Sequence, residues 1–226
     1  MNKDLACAQI TIEKSSAWTG HQFFAKWLVE TVKPEITVDL GVDYGHSTFY
    51  LAAAEIGTVY GIDTFAAINE YSEHTDAYMY VNTTKHKFNF NNTFFIKGSF
   101  NDVAKSWVDW GSKKIDILHI DGDHAYESVK NDYETWKVFL KEDSVVMFHD
   151  TESWKDAVGR FFQELEMPHK MNFHHSAGLG VASKNPEIIK LICDTFSNQF
   201  PTSLLIDTTS FCNELPLFTR SPSKNL

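Results

Sequence analysis

Thr37-Val38-Asp39-Leu40-Gly41-Val42-Asp43-Tyr44-Gly45-His46-Ser47-Thr48 reads TVDLGVDYGHST. A β-branched apolar run ends at an acid, and two glycines then lead into the segment STFYLAAAEI. This is the pattern of a strand, a tight turn and a helix. Gly41 permits the turn, and Gly45 lets a ligand or a helix approach the backbone closely. Ser47 is the expected cap of the helix.

The same alternation continues outward from this stretch. Upstream, GHQFFAKWLVETV puts Phe23, Phe24, Trp27, Leu28 and Val32 at helical spacing, and Pro34 follows as a stop. Downstream, TVYGID, TFFIKGS, KIDILHID and SVVMFHD read as strands. FNDVAKSWVDW reads as a helix, and so does WKDAVGRFFQEL. Between them, Tyr126, Val129, Tyr133, Trp136 and Leu140 share one helical face. Segment 64–92 is polar and aromatic and reads as a helix and a mobile loop. MNFHHS and GLGVASK read as two strands joined by a tight turn. Together these elements predict an α/β fold: a doubly wound, mostly parallel seven-stranded sheet of Rossmann-like type, with a C-terminal antiparallel hairpin. The expected domain spans 1–184, with 1–33 as an N-terminal helical lid. Residues 185–226 are expected to form a C-terminal helical extension, PEIIKLICDTF, and a tail.

Of 226 residues, 43% are hydrophobic, enough for one sizeable core. The net charge is −10 and the only arginines are Arg160 and Arg220, which argues against a nucleic-acid partner. No apolar run approaches the roughly 18 residues of a membrane span, so no membrane partner is expected. Cys7, Cys193 and Cys212 are odd in number and far apart, as free thiols in a reducing compartment would be. The first fourteen residues lack the apolar stretch of a signal peptide. A cytoplasmic protein acting on a small-molecule partner is expected, with a homo-oligomer left open.

In such a sheet, ligands bind beyond the carboxyl ends of the strands. That places Asp39 to Gly45, Asp63, Ser99, Asp121 to His124 and His149-Asp150 on one rim. Asp63 ends the second strand, where a carboxylate can accept hydrogen bonds from both ribose hydroxyls or simply cap a helix. Asp39 and Asp43 surround the glycine turn and would repel a pyrophosphate. They suit a ligand carrying an ammonium and a sulfonium, which describes S-adenosylmethionine. The absence of a third glycine also counts against a nicotinamide-dependent oxidoreductase. Asp121, Asp123 and Asp150 offer hard oxygen atoms suited to Mg²⁺ or Mn²⁺.

Asp39-Leu40-Gly41-x-x-x-Gly45 and Gly61-Ile62-Asp63 resemble the first two motifs of class I S-adenosylmethionine-dependent methyltransferases. With IDGDHAYESVKNDYETW and FHDT, the similarity extends over roughly residues 16–183. It points to the branch of macrolide-sugar O-methyltransferases and cephalosporin-hydroxylase-like proteins. The resemblance implies methylation of a hydroxyl on a sugar or another small polar metabolite. It implies cofactor contacts from Asp39 at the methionine end, Gly41, Gly45, Asp63 at the ribose, and Gly98, Ser99 and Phe100 at adenine. It further implies metal binding by Asp121 and Asp150, with His124 as general base. The chain departs from the pattern at Asp123, where the relatives carry serine, and at His149, where they carry an acid. His149 is thus either a third metal ligand or a hydrogen-bonding residue outside the site; Asp123 is either an extra ligand or a helix cap. A catalytically inactive S-adenosylmethionine- or sugar-binding protein is the competing reading. His119 is expected in the core, Trp18 and His21 in a lid. Tyr71, His74, Tyr78, Tyr80 and the pair His174-His175 are candidate acceptor contacts.

Overall fold

Ile117 and Leu118 are adjacent in sequence and fully buried, yet they belong to two different apolar clusters on opposite faces of one sheet. Val145 and Met147 face one side of that sheet, Val146 and Phe148 the other. A strand buried on both faces needs helices above and below, as in doubly wound α/β proteins. The structure, a computed structural model, describes residues 2–66 and 76–196.

Its elements are α1 (Lys3–Glu13), α2 (Gln22–Val32), β1 (Ile36–Leu40), α3 (His46–Ala52), β2 (Thr58–Asp63), α4 (Ala77–Lys87), β3 (Thr93–Lys97) and α5 (Phe100–Asp109). Then follow β4 (Ile115–Ile120), α6 (Tyr126–Trp136), β5 (Leu140–His149), α7 (Arg160–Glu164), β6 (His169–Phe173), β7 (Leu179–Ser183) and α8 (Pro186–Phe196). The strand order is β3-β2-β1-β4-β5-β7-β6. β1 to β5 are mutually parallel, and β7 runs antiparallel to both β5 and β6. The seven-stranded, mostly parallel sheet and its antiparallel end match the expectation from the alternating pattern. The hairpin's second strand, β7, pairs with β5 and leaves β6 at the edge.

Several local expectations are corrected. The α3 N-cap is Gly45, not Ser47, whose hydroxyl is drawn to Asp39 instead. α2 buries Phe24, Ala25, Leu28 and Val29, while Phe23 is 87% exposed, because the core stripe begins one residue later. A 3₁₀ turn over Lys137–Phe139 ends α6, and Leu140 starts β5 rather than extending the helical face. Residues 155–159 of WKDAVGRFFQEL form a π-helical turn before α7. The helices of the first 33 residues do not stand apart from the core. Ala6, Cys7 and Ile10 of α1 and the buried face of α2 join the core cluster containing Phe49, Val59 and Met147. Lys3 pins α1 to the carbonyls of Phe88 and Asn89 at 2.9 and 2.6 Å. Trp18 and His21 are buried to 1% and 0% exposure. Nor is α8 an appendage: Ile188, Ile189, Ile192, Cys193 and Phe196 pack into the same cluster. Cys7 and Cys193 are buried, while Cys212, Tyr71 and His74 lie outside the described residues. No helix among the described residues is long and apolar enough to cross a membrane.

Candidate active site

β1 and β4 are neighbours at the centre of the sheet, and the strand order departs from them in opposite directions. Their carboxyl ends form the switch point at which such sheets open a crevice. The amide of Asp121 donates to the carbonyl of Leu40 at 2.7 Å, so the two loops leave the sheet in contact. A Cβ on Gly41 (φ 97°) would sit 1.9 Å from the Asp121 carbonyl oxygen. Gly41 is therefore required by the neighbouring loop. At Gly45 (φ 85°) a Cβ would meet Phe49 at 2.7 Å and Val81 at 3.2 Å, so its missing side chain lets α3 and α4 pack closely. Around this point lies a cavity of about 1300 Å³ lined by Trp18, Gly41, Asp43, Asp63, Ser99, Phe100, Asp121, His124, Asp132, His149, Asp150 and Trp154 among others. Ligand pockets commonly measure about 300–1,000 Å³, so this one has room for two small molecules side by side.

Asp39, expected at the methionine end, does not reach the cavity. Its side chain is fully buried and accepts from Ser47 Oγ at 2.7 Å, Thr48 Oγ1, and His119 Nδ1 at 2.7 Å. The indole of Trp18 donates to His119 Nε2 at 3.2 Å, which fixes the ring's hydrogen on Nδ1, facing Asp39. His119 is thus a core residue, part of a chain that ties the N-terminal segment to the start of α3.

Asp63 does line the cavity, and its carboxylate closes the glycine loop. Oδ2 accepts from the amides of Val42 and Asp43 at 2.8 and 3.0 Å, and Oδ1 from the amide of Phe65 at 2.8 Å. Those loop amides are the donors a pyrophosphate would need. Ser99 is the N-cap of α5, accepting from the Asp102 amide at 3.2 Å, so its hydroxyl is committed to that helix. Phe100 follows it on the cavity wall, against Gly122.

Across the switch point, Asp121 and His124 from the β4 loop meet Asp150 from β5. One ligand atom from each lies within 4.8 Å of the other two, a spacing able to hold a metal ion. His124 Nε2 is 2.9 Å from Asp150 Oδ2 and 3.8 Å from Asp121 Oδ1. Asp150 takes a left-handed backbone, φ 65°, which swings its carboxylate back toward the β4 loop. Such a conformation is uncommon outside glycine and persists where the surroundings enforce it.

His149 stands directly beside this group. Its Nε2 donates to the Ser176 carbonyl at 3.1 Å, and its Nδ1 lies 3.2 Å from both Asp121 Oδ1 and Asp150 Oδ2. Burial disfavours its charge, yet the two carboxylates prevail and push its pKa up to about 10. Hydrogen bonds to Asp121 and Asp150 likewise raise His124 to about 9. Burial raises both acids, but the two histidines outweigh it and hold their carboxyls below the usual range. Asp123 neither caps α6 nor joins the cluster; it accepts from Ser128 Oγ at 2.6 Å. His174 and His175 do not line the cavity: the first pairs with Glu152, the second stacks on His21 with ring centres 4.7 Å apart.

Asp132 and Trp154 are among the cavity residues that the sequence does not announce. Asp132 lies on the buried side of α6 beside Val129, Tyr133 and Trp136, and burial lifts its carboxyl to about 6. The signal was an acid on an otherwise apolar face. Trp154 stands four residues past Asp150 and stacks on His124, a contact that no residue spacing announces.

Solved structures share this architecture. An O-methyltransferase from Bacillus cereus in complex with SAH has a TM-score of 0.60 at 14% identity, covering 80% of this chain and 89% of that one. A methyltransferase from Geobacter sulfurreducens also gives 0.60, at 15% identity over 80% and 87% of the two chains. An uncharacterized protein of Sinorhizobium fredii, y4gI, is 33% identical over 184 residues, 76% of this chain. The match takes in 20% of y4gI, so the chain spans about a fifth of the length of that curated relative. Residues 38–151, from within β1 to just past β5, match the methyltransferase domain family. They take in the glycine loop, Asp63 and the whole Asp121–His124–Asp150 cluster, and on that match the chain belongs to the methyltransferase domain family.

Proposed function

We propose that the protein uses S-adenosylmethionine to methylate a hydroxyl of a small polar acceptor, a sugar or similar metabolite. One observation carries the reading: a single cavity joins the acid-closed glycine loop to the Asp121–His124–Asp150 cluster. The loop fits a cationic cofactor, since the Val42 and Asp43 amides already serve Asp63 and carboxylates line the approach. S-adenosylmethionine supplies an activated methyl group, so the protein's task is to position the acceptor and manage one proton. Asp63 and the Gly41–Asp43 backbone would hold the cofactor, and Phe100 would flank its base. The B. cereus relative, solved with SAH, supports this choice.

The carboxylates of Asp121 and Asp150, with His124 beside them as the base, fit a divalent cation such as Mg²⁺ or Mn²⁺. Such an ion would lower the acceptor hydroxyl's pKa. In the arrangement described, His124 carries its proton against Asp150. A cation held by the two acids would offset the charge that raises the His124 pKa, and Nε2 would then be the base placed to take the hydroxyl proton. The test is transfer of a labelled methyl group from S-adenosylmethionine to a panel of sugars, with Mn²⁺, with Mg²⁺ and with chelator. His124→Ala should keep cofactor binding and lose most turnover; unchanged turnover would remove His124 from the role. Cofactor binding without transfer to any acceptor would favour a binding protein.

A further inference from the structure

Among the described residues, eleven large apolar side chains are exposed, from Leu5 on α1 to Leu191 on α8. Trp154 alone of these lines the cavity. Its indole lies nearly parallel to the His124 ring, 16° between planes with centres 5.2 Å apart, and the residue remains 51% exposed. A tryptophan kept half in water at the mouth of a polar cavity adds little to the core, and aromatic faces of this kind bind flat partners. The chain places it deliberately. The Trp154 amide donates to the Asp150 carbonyl at 2.9 Å, and the Trp154 carbonyl accepts from Gly159 at 3.1 Å, closing a π-helical turn. Single π turns recur at functional sites because they re-aim a side chain without ending a helix. The Trp154 backbone is therefore tied to the same residue whose carboxylate faces His124, and its indole lies against the His124 ring.

We infer that Trp154 is the platform on which the acceptor lies, and that the acceptor is a hydroxylated ring with an apolar face. The ring stacks on the indole while one of its hydroxyls reaches the Asp121–His124–Asp150 cluster. A pyranose and a phenol share that chemistry; an open-chain polyol does not. The inference rests on the methyl-transfer reading for the hydroxyl's fate, and on the geometry of Trp154 alone for the ring.

The experiment loads the protein with S-adenosylhomocysteine and measures binding of methyl glucopyranoside, methyl rhamnopyranoside, catechol and the acyclic ribitol by saturation-transfer NMR. Wild type, Trp154→Ala and Trp154→Phe are compared. Trp154→Ala should weaken the ring probes about tenfold, roughly the worth of one stacked aromatic contact. Trp154→Phe should retain most of their binding, and ribitol and S-adenosylhomocysteine should be unaffected by either change. Whichever ring class responds identifies the acceptor as sugar or phenol. Equal ring binding in wild type and Trp154→Ala, a parallel loss of ribitol, or no ring binding to the loaded wild type would each overturn the inference. Failure of S-adenosylhomocysteine itself to bind, with ring binding still dependent on Trp154, would overturn the methyl-transfer reading and leave the platform standing.

Discussion

Asp39–His119, between β1 and β4, and Asp150–His124, at the ends of β5 and β4, are aspartate–histidine pairs with different surroundings. Asp39 and His119 lie 2.7 Å apart and are completely buried. Asp150 and His124 lie 2.9 Å apart, with side chains 11% and 34% exposed. The residue types are the same, and what separates them is the inventory of partners. Asp39 has three side-chain donors, and His119 has the Trp18 indole on its far nitrogen. Every polar atom at that pair's contact has a protein partner and no ligand can approach. The second pair opens on a cavity, shares its charge with Asp121 and His149, and leaves carboxylate lone pairs for something not built into the chain. The first pair is part of the core, and the second is the one we propose for the chemistry.

The sharpest way to break the contrast is Asp39→Ala. It strands the His119 N–H and two hydroxyls in the core, and should cost about 4 kcal/mol in denaturant unfolding. A loss below about 1 kcal/mol would mean that the buried pair does not hold the β1–α3 junction. At the other pair, Asp150→Asn should lower methyl transfer about a hundredfold while shifting unfolding by less than about 1 kcal/mol, since the site faces water and ligands. Equal damage to stability would make that pair structural too.

Asp132 sharpens the comparison from a different side, as a buried acid with no cation beside it. Its folded pKa of about 6 lies above the unfolded value of about 3.9, so its burden is absent below pH 4 and grows until about pH 6. Asp132→Asn should therefore stabilise the ligand-free protein by up to about 2 kcal/mol at pH 8 and leave it unchanged near pH 4, as thermal melts across pH would show. The smallest effect belongs to Trp18→Phe, which removes one N–H from His119 Nε2 and should cost about 1 kcal/mol with no change in the Asp150–His124 pair.

Much of the fold was legible because the strands carry short β-branched runs and the helices keep a 3.6 period. The order of β1 to β5 and the rim they form followed from that alternation. Roles along the rim were harder to read. Asp39 and Asp63 both end strands beside glycines, and nothing in their spacing says that one turns inward to Ser47 while the other closes a loop at the cavity. His149 stands where the resemblance implies an acid, and its partners lie on other strands and loops. Its Nε2 is claimed by Ser176, a residue of the β6–β7 turn distant in sequence. The segment of Trp154 has the spacing of a plain helix, and that spacing does not show the π turn over residues 155–159 or the left-handed Asp150 before it.

The central claim is that the acid-closed loop at β1 and β2 receives a cationic adenosyl cofactor. Calorimetric titration of S-adenosylhomocysteine and NAD⁺ into the wild-type protein and Asp63→Ala tests it most directly. The account predicts that S-adenosylhomocysteine binds wild type, that Asp63→Ala weakens it at least about tenfold, and that NAD⁺ does not bind. Binding of NAD⁺ in preference to S-adenosylhomocysteine would contradict it.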